Sequence, residues 1–369
     1  MGIYEDLGVR PIINACATLT RLGGSLMPPE VLTAMEEASH RFINLHLLQK
    51  RVGETLAELT HNEAAFVATG AAAGITLAVA ACMTHDKADA IGRLPDTAGL
   101  KNEVIVFKNQ RNQYDYAVKQ VGATMIIVGD GESCTAQEFE AAITERTGAC
   151  MWFQGPYCGH GDVPLAQVIE ICTRHGVPVL VDAAAQLPPV ENLWNFTQMG
   201  AACAIFSGGK DLQGPQSSGM ILGQRWLIEA IRPIGSPNAG IGRPMKVGKE
   251  EMVGLLAAVR RYLSLDHVAR QARYERMVGD WGEAFSMLPG VHSERAFPNE
   301  AGQPLPRLEV RVGKGARLTH DQLLIALREG TPCIETEGSL GGDSIFINPW
   351  QLTDDEATIV ERRVVELLS

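Results

Sequence analysis

Between Ala64 and Leu222 the chain repeats one pattern: a short apolar run, a turn of small residues, then a helical stretch. Candidate strands are Ala64–Ala68, Glu103–Phe107, Thr124–Val128, Ala149–Phe153, Pro178–Asp182, Ala202–Phe206 and Ser218–Leu222. Helical stretches at Ala71–Met83, Gln113–Gln120, Ala136–Thr144 and Pro164–His175 separate several of them. Strands this short and uniformly apolar need cover on both faces, which a largely parallel sheet flanked by helices provides. The expected fold is therefore α/β, with a large, mostly parallel seven-stranded sheet. Ligands of such sheets gather beyond the carboxyl ends of the strands.

The flanks read differently. Ile12–Ala15 is a candidate short strand, and Thr18–Ser25 is a polar loop with few charges in which Arg21 stands out. Thr20 and Arg21 are substrate-side candidates there, against the plainer reading of a solvated loop arginine. Helices are expected at Pro29–Phe42, which opens with a proline in its first turn, and at about Leu45–Leu59. After Gln224 the alternation stops. A Gly/Pro loop, Asn238–Pro244, precedes a helix over Lys249–Leu265, strands at Leu308–Val312 and Ser344–Ile347, and helices at Asp321–Arg328 and Asp354–Leu368. The 369 residues thus divide, on sequence, into an N-terminal segment (1–45), a large domain (46–224) and a small C-terminal α+β domain (225–369).

Composition narrows the function classes. A hydrophobic fraction of 46% with 20% charged residues suits a soluble globular protein. The net charge of −11 argues against a nucleic-acid partner, which would need a basic surface. The eight cysteines are scattered, with no C-x-x-C pair and no H-E-x-x-H, so neither zinc nor a disulfide framework is signalled. Reduced thiols point to a cytoplasmic protein. Acidic residues near the N-terminus do not suit a signal peptide, and no apolar run reaches membrane-spanning length.

Four strand ends carry the chemistry. Ala202–Phe206 runs into Ser207-Gly208-Gly209-Lys210, a small-residue turn presenting one lysine beside a hydroxyl. That arrangement suits a Schiff-base link to a phosphorylated aldehyde cofactor; a tight-turn surface lysine is the bland alternative. The strand Pro178–Val181 closes on Asp182, followed by three alanines. A carboxylate there needs a partner, and a protonated pyridine nitrogen is one, with Ala184 flat against a ring; an N-cap is the other reading. Thr69-Gly70-Ala71-Ala72 opens a helix after Ala64–Ala68, leaving free N–H groups for an anion or simply packing closely. It lacks the lysine of a P-loop. Finally, Lys108–Tyr116 is a polar segment at the same edge, able to place a group over a planar ring or to cap a helix.

Together with Gly242-Arg243-Pro244-Met245-Lys246-Val247-Gly248-Lys249-Glu250, these stretches resemble the selenocysteine synthase-like group of fold type I pyridoxal phosphate enzymes, and within it the D-glucosaminate-6-phosphate ammonia-lyase branch. The resemblance spans nearly the whole chain. It implies pyridoxal 5'-phosphate held by Lys210 and paired through Asp182, with Ser207 and Thr69–Ala72 on the phosphate. It also implies a homodimer, or a larger homo-oligomer, with shared sites. One position departs: where relatives commonly carry a histidine or another ring-stacking residue before R-N-x-Y-D, this chain has Gln110.

The implied reaction is α,β-elimination from a β-hydroxylated amino acid or amino-sugar acid, giving a 2-keto acid and ammonia. Arg21, Arg243, Lys246 and Arg307 are candidates for the substrate's anionic end, and His160 for a proton donor, each against a structural reading. Racemisation and aldol cleavage share the same lysine chemistry. A selenium or sulfur transferase and a non-catalytic binder of the same fold are the remaining alternatives.

Overall fold

The computed structural model describes residues 2–158 and 160–369; Met1 and Gly159 lie outside it. The chain forms two compact units, Met27–Ser264 on the one hand and Met1–Leu26 with Leu265–Ser369 on the other. Strand β1 (Ile12–Ala15) belongs to the second unit. The next seven strands form one sheet: β2 (Ala64–Ala68), β3 (Glu103–Phe107), β4 (Thr124–Val128), β5 (Thr147–Phe153), β6 (Val179–Asp182), β7 (Cys203–Ser207) and β8 (Gly219–Gly223). Their order is β2-β8-β7-β6-β5-β3-β4. Only β8 runs against its neighbours, so the carboxyl ends of the others and the start of β8 share one rim.

The helix Ala71–Thr84 lies against this sheet and is buried from Ala73 onward. Its small residues permit the close fit: a Cβ on Gly74 would come within 2.7 Å of Ile205 Cγ2. A helix apolar on every side is a core element, unlike the amphipathic Leu165–Arg174, which buries only Val168, Ile169, Ile171 and Cys172. The helices Arg225–Ile231 and Lys249–Ser264, placed on sequence with the small domain, pack instead within the sheet unit. Leu227, Ile228 and Ile231 join the sheet's own core. Lys249–Ser264 packs along Pro29–Ser39 and Leu45–Leu59.

The second unit contains the helix His267–Ser286, β9 (Val291–Ala296), β10 (Arg307–Val312), β11 (Cys333–Thr336) and β12 (Ser344–Ile347), with helices His320–Glu329 and Asp354–Leu368. Strands β12-β10-β9 form an antiparallel sheet, and β1 pairs in parallel with β11. Trp281, Phe285, Leu308, Leu324 and Val360 fill its core, which Ile13 and Ala15 of β1 complete. The first 26 residues therefore belong with the C-terminal third rather than forming a separate segment.

Candidate active site

Asp182 ends β6 at the shared rim. Its peptide is fixed on both sides: Gln154 N–H donates to its carbonyl at 3.0 Å, and Ala183 N–H donates to Ile205 O at 2.9 Å. The carboxylate Oδ1 accepts from Ala184 N–H at 3.0 Å. Burial pushes the carboxyl above its ordinary value of 3.8, with the Ala184 N–H and the charge of Lys210 opposing. The ledger of this side chain thus has desolvation ahead of its protein partners.

Lys210 follows β7 in a loop with little freedom. Gly208 N–H donates to Ser218 O at 2.9 Å, Gly214 N–H to Gly208 O at 2.8 Å, and Gln213 N–H to Lys210 O at 2.9 Å. Gln213 takes the left-handed backbone region (φ 56), and its Oε1 accepts from Arg261 Nη1 at 3.0 Å. No side chain fits at Gly208, where a Cβ would stand 2.0 Å from Ser218 Oγ. The loop is built to present Lys210 in one way.

One strand further along, Ser207 pairs with Gly219, and Gly219 pairs with Ala68. A Cβ on Gly219 would lie 2.7 Å from the carbonyl carbon of Gly70 and 2.9 Å from Ala71 N. The missing side chain therefore lets the Thr69–Ala72 turn settle beside Ser207. Gly70 caps the helix Ala71–Thr84 at φ 150 and, having no side chain, takes up none of the helix's leading N–H groups itself. The sheet thus brings together Thr69, Gly70, Ala71, Ala72, Asp182, Ala184, Ser207 and Lys210 on adjacent strand ends. Gly219 was not among the expected site residues; a glycine opening a strand directly opposite a Gly/Ala turn is its signal in the sequence.

Gln110 behaves otherwise. The β3–β5 pairing ends at Ile105 with Cys150, and beyond it the Gln110 Oε1 accepts the Phe153 N–H at 3.1 Å. The residue is only 5% exposed, and its Nε2 is buried without a partner among the described residues. Its side chain extends the sheet's hydrogen bonding instead of offering an open face to a ring. His160 is exposed in the loop that follows β5.

The cation candidates fall into two groups. Arg243 and Lys246 belong to the sheet unit, in a loop pinned where Gly242 approaches Ile234 O; both are exposed, and among the described residues neither has a side-chain partner. Lys249 of the same motif is instead spent on Ala38 O at 2.6 Å and on Glu250. Thr20, Arg21 and Arg307 belong to the smaller unit. Thr20 is exposed in the 3-10 turn Thr20–Leu22. Arg21 is exposed and pairs with Glu335. Arg307 is enclosed, pairs with Glu337 and Glu300, and lies 4.1 Å over the Phe346 ring. Around the buried Cys16 the carboxylates Glu337, Glu335 and Glu300 reinforce burial, and the thiol is pushed up to about 12. It is not a nucleophile at neutral pH.

The rim suits pyridoxal phosphate on its own terms. It has a desolvated carboxylate, a lysine on a fixed loop one strand away, and a helix N-terminus capped by a glycine and packed closely against Gly219, the register partner of Ser207. Fold and rim together define a fold type I pyridoxal phosphate enzyme. The family described as SelA, L-seryl-tRNA selenium transferase, matches residues 12–285, and the chain belongs to it. A D-glucosaminate-6-phosphate ammonia lyase from Salmonella typhimurium (strain 14028s / SGSC 2262) is 30% identical over 373 residues, covering 99% of this chain and 98% of that protein. A 5'-C-glycyluridine monooxygenase-decarboxylase from Streptomyces sp is 33% identical over 374 residues, covering 99% and 92%. A solved D-glucosaminate-6-phosphate ammonia-lyase structure superposes with a TM-score of 0.87 at 29% identity, over 100% of this chain and 98% of that one.

Proposed function

We propose that this enzyme is a pyridoxal-phosphate-dependent ammonia-lyase acting on a 2-amino-3-hydroxy acid, with amino-sugar acids such as D-glucosaminate 6-phosphate as the substrate class. The observation that carries the reading is the adjacency of Asp182 and Lys210 on one rim, in a chain that aligns end to end with an ammonia lyase of that name. When bound, the cofactor supplies an electron sink for the pair left on the substrate Cα.

The chain's own residues do the rest. Lys210 would hold the cofactor at its aldehyde carbon, and its amine would be the base that takes the proton from the substrate Cα. Asp182 would hold a proton at the ring nitrogen, and Ala184, two residues further along, would lie against the ring. The N–H groups of Ala71 and Ala72, with Thr69, Gly70 and Ser207, receive the phosphate. Arg21, Arg243 and Lys246, with Thr20, take the substrate's anionic end, whereas the carboxylates around Arg307 already neutralise it. Hydroxide leaves Cβ as water, and hydrolysis of the C–N bond returns one water. The net change converts the amino acid into a 3-deoxy-2-keto acid and ammonium. A net charge of −11 supports a small-molecule substrate over a tRNA. Free cysteines, and the absence among the described residues of a helix fit to cross a membrane, support a cytoplasmic enzyme.

The test is product analysis with D-glucosaminate, its 6-phosphate and β-hydroxy amino acids, with Lys210→Ala as the control. Ammonia and a 2-keto acid are expected, together with a cofactor absorption band that the variant loses. Loss of optical activity without ammonia, or glycine with an aldehyde, would replace elimination by racemisation or aldol cleavage. The 33% identity to the monooxygenase-decarboxylase favours a second reading, oxidative decarboxylation of a glycyl substituent. Oxygen uptake with release of carbon dioxide would mark it.

A further inference from the structure

Glu335 of β11 divides a nearly enclosed carboxylate between two arginines. Oε1 lies 2.7 Å from Arg21 Nη2, and Oε2 lies 3.3 Å from Arg328 Nε. Arg328 is held at the end of its helix, donating from Nη2 to Gly338 O at 3.2 Å, while its own carbonyl accepts from Arg10 Nη2 at 2.6 Å. Asn14 is the register partner of Glu335 and shapes the loop leading to Arg21, accepting from Cys16 N–H at 3.1 Å and donating to Ala17 O at 2.9 Å. The 3-10 turn carrying Arg21 closes on Gly23 in the left-handed region, at φ 90.

The two carboxylate-rich sites of this unit differ in what they leave over. The Arg307 side chain is 11% exposed and meets two carboxylates and a ring. The Arg21 side chain is 56% exposed and meets Glu335 through Nη2, with no further side-chain partner among the described residues. Glu335 keeps Arg328 whether or not Arg21 shifts, so moving Arg21 toward a ligand does not strand a buried charge.

We propose that Glu335 is a positioning residue for substrate binding: it holds Arg21 by one nitrogen and turns the rest of the guanidinium toward the anionic group of the substrate. This rests on the substrate class proposed above. The anionic group is a phosphate or a carboxylate, both of which a guanidinium binds through paired N–H groups.

The holoenzyme is titrated calorimetrically with gluconate 6-phosphate and with gluconate, which lack the reacting amine, in wild type, Glu335→Gln, Arg21→Met and the double variant. Glu335→Gln is expected to weaken binding about tenfold, and Arg21→Met by at least as much, with the double variant no weaker than Arg21→Met alone. With the reacting substrate, Glu335→Gln raises KM and leaves kcat unchanged. A loss confined to gluconate 6-phosphate assigns Arg21 to phosphate, and an equal loss with gluconate assigns it to the carboxylate. Should Glu335→Gln fail to fold, Glu335→Asp keeps a negative charge beside the two arginines, draws it back by a methylene from the Arg21 contact and completes the same cycle. An undiminished effect of the Glu335 variant in the Arg21→Met background, no effect at all, or no binding to wild type overturns the proposal. If the cycle holds while wild type releases no ammonia from any substrate, the reaction fails and the positioning role stands.

Discussion

A carboxylate at the end of a buried strand is a liability unless something arrives to neutralise it, and Asp182 is such a carboxylate. Burial raises its pKa above 3.8, so the folded apoprotein binds a proton there that the unfolded chain has already lost. Apoprotein stability therefore falls as pH rises from that ordinary value through the raised one. Asp182→Asn removes the liability: its apoprotein should melt above wild-type apoprotein at pH 7, with the gap closing as pH drops toward 4 (roughly the carboxylate range). Activity should fall by about 10²–10⁴-fold, since the ring nitrogen loses its proton holder. A thermal melt and a turnover assay that moved in the same direction would contradict this account. The position of Asp182 at a strand end was legible in the sequence because a charged residue closing an apolar run breaks a simple pattern, and that of Lys210 because a small-residue turn follows the next run. Gln110 was not, because no pattern says that its amide caps a strand pairing that stops at Ile105. Gln110→Ala should cost about 1–3 kcal/mol in denaturant unfolding, the amount lost when a buried N–H goes unpaired.

At the scale of elements, the strands were readable because each is a short apolar run, buried along nearly its whole length in all but the edge strand β4, and the sheet follows the expected ranges to within a residue or two. What the runs did not disclose is the reversal of β8, which carries Gly219 to the rim beside Ser207 and the Thr69–Ala72 turn. Helix and strand periodicity report burial, not direction. In the smaller unit, β9 escaped notice because none of its residues is buried, and β11 because four residues paired with β1 carry no period of their own. The reversal of β8 is testable. Gly219→Ala places a methyl group 2.7 Å from the carbonyl carbon of Gly70 and must push the turn away from Ser207. Cofactor affinity, read from the absorption band during titration, should fall by at least about tenfold, as expected for a binding group displaced by a fraction of an ångström. Ser217→Ala, at an exposed position two residues away, should leave affinity unchanged.

For the whole molecule, composition suited a globular protein without a nucleic-acid partner, and the change of pattern after Gln224 indicated a second unit. The break itself lies at Ser264, because the Arg225–Ile231 and Lys249–Ser264 helices have apolar faces that only the sheet unit's core and first helices match. The N-terminal strand joins the C-terminal unit through β11, a pairing between distant stretches that no local reading of the chain contains. One feature at this scale has no partner among the described residues. Leu32, Phe42, Ile43 and Leu47 are exposed on and between the consecutive helices Pro29–Ser39 and Leu45–Leu59, with Phe42 fully so. Apolar side chains grouped in this way are the mark of a surface that another molecule covers, and the expected homodimer supplies one. Sedimentation of the wild-type enzyme should give a dimer or larger assembly, and Phe42→Asp should shift it toward monomer, because a charge buried at the centre of an apolar contact has no partner. If the active site is shared between subunits, activity should fall with the dimer and recover at high protein concentration by mass action. A Phe42→Asp protein that sediments as wild type, or a monomer with full activity, would remove this surface from the assembly.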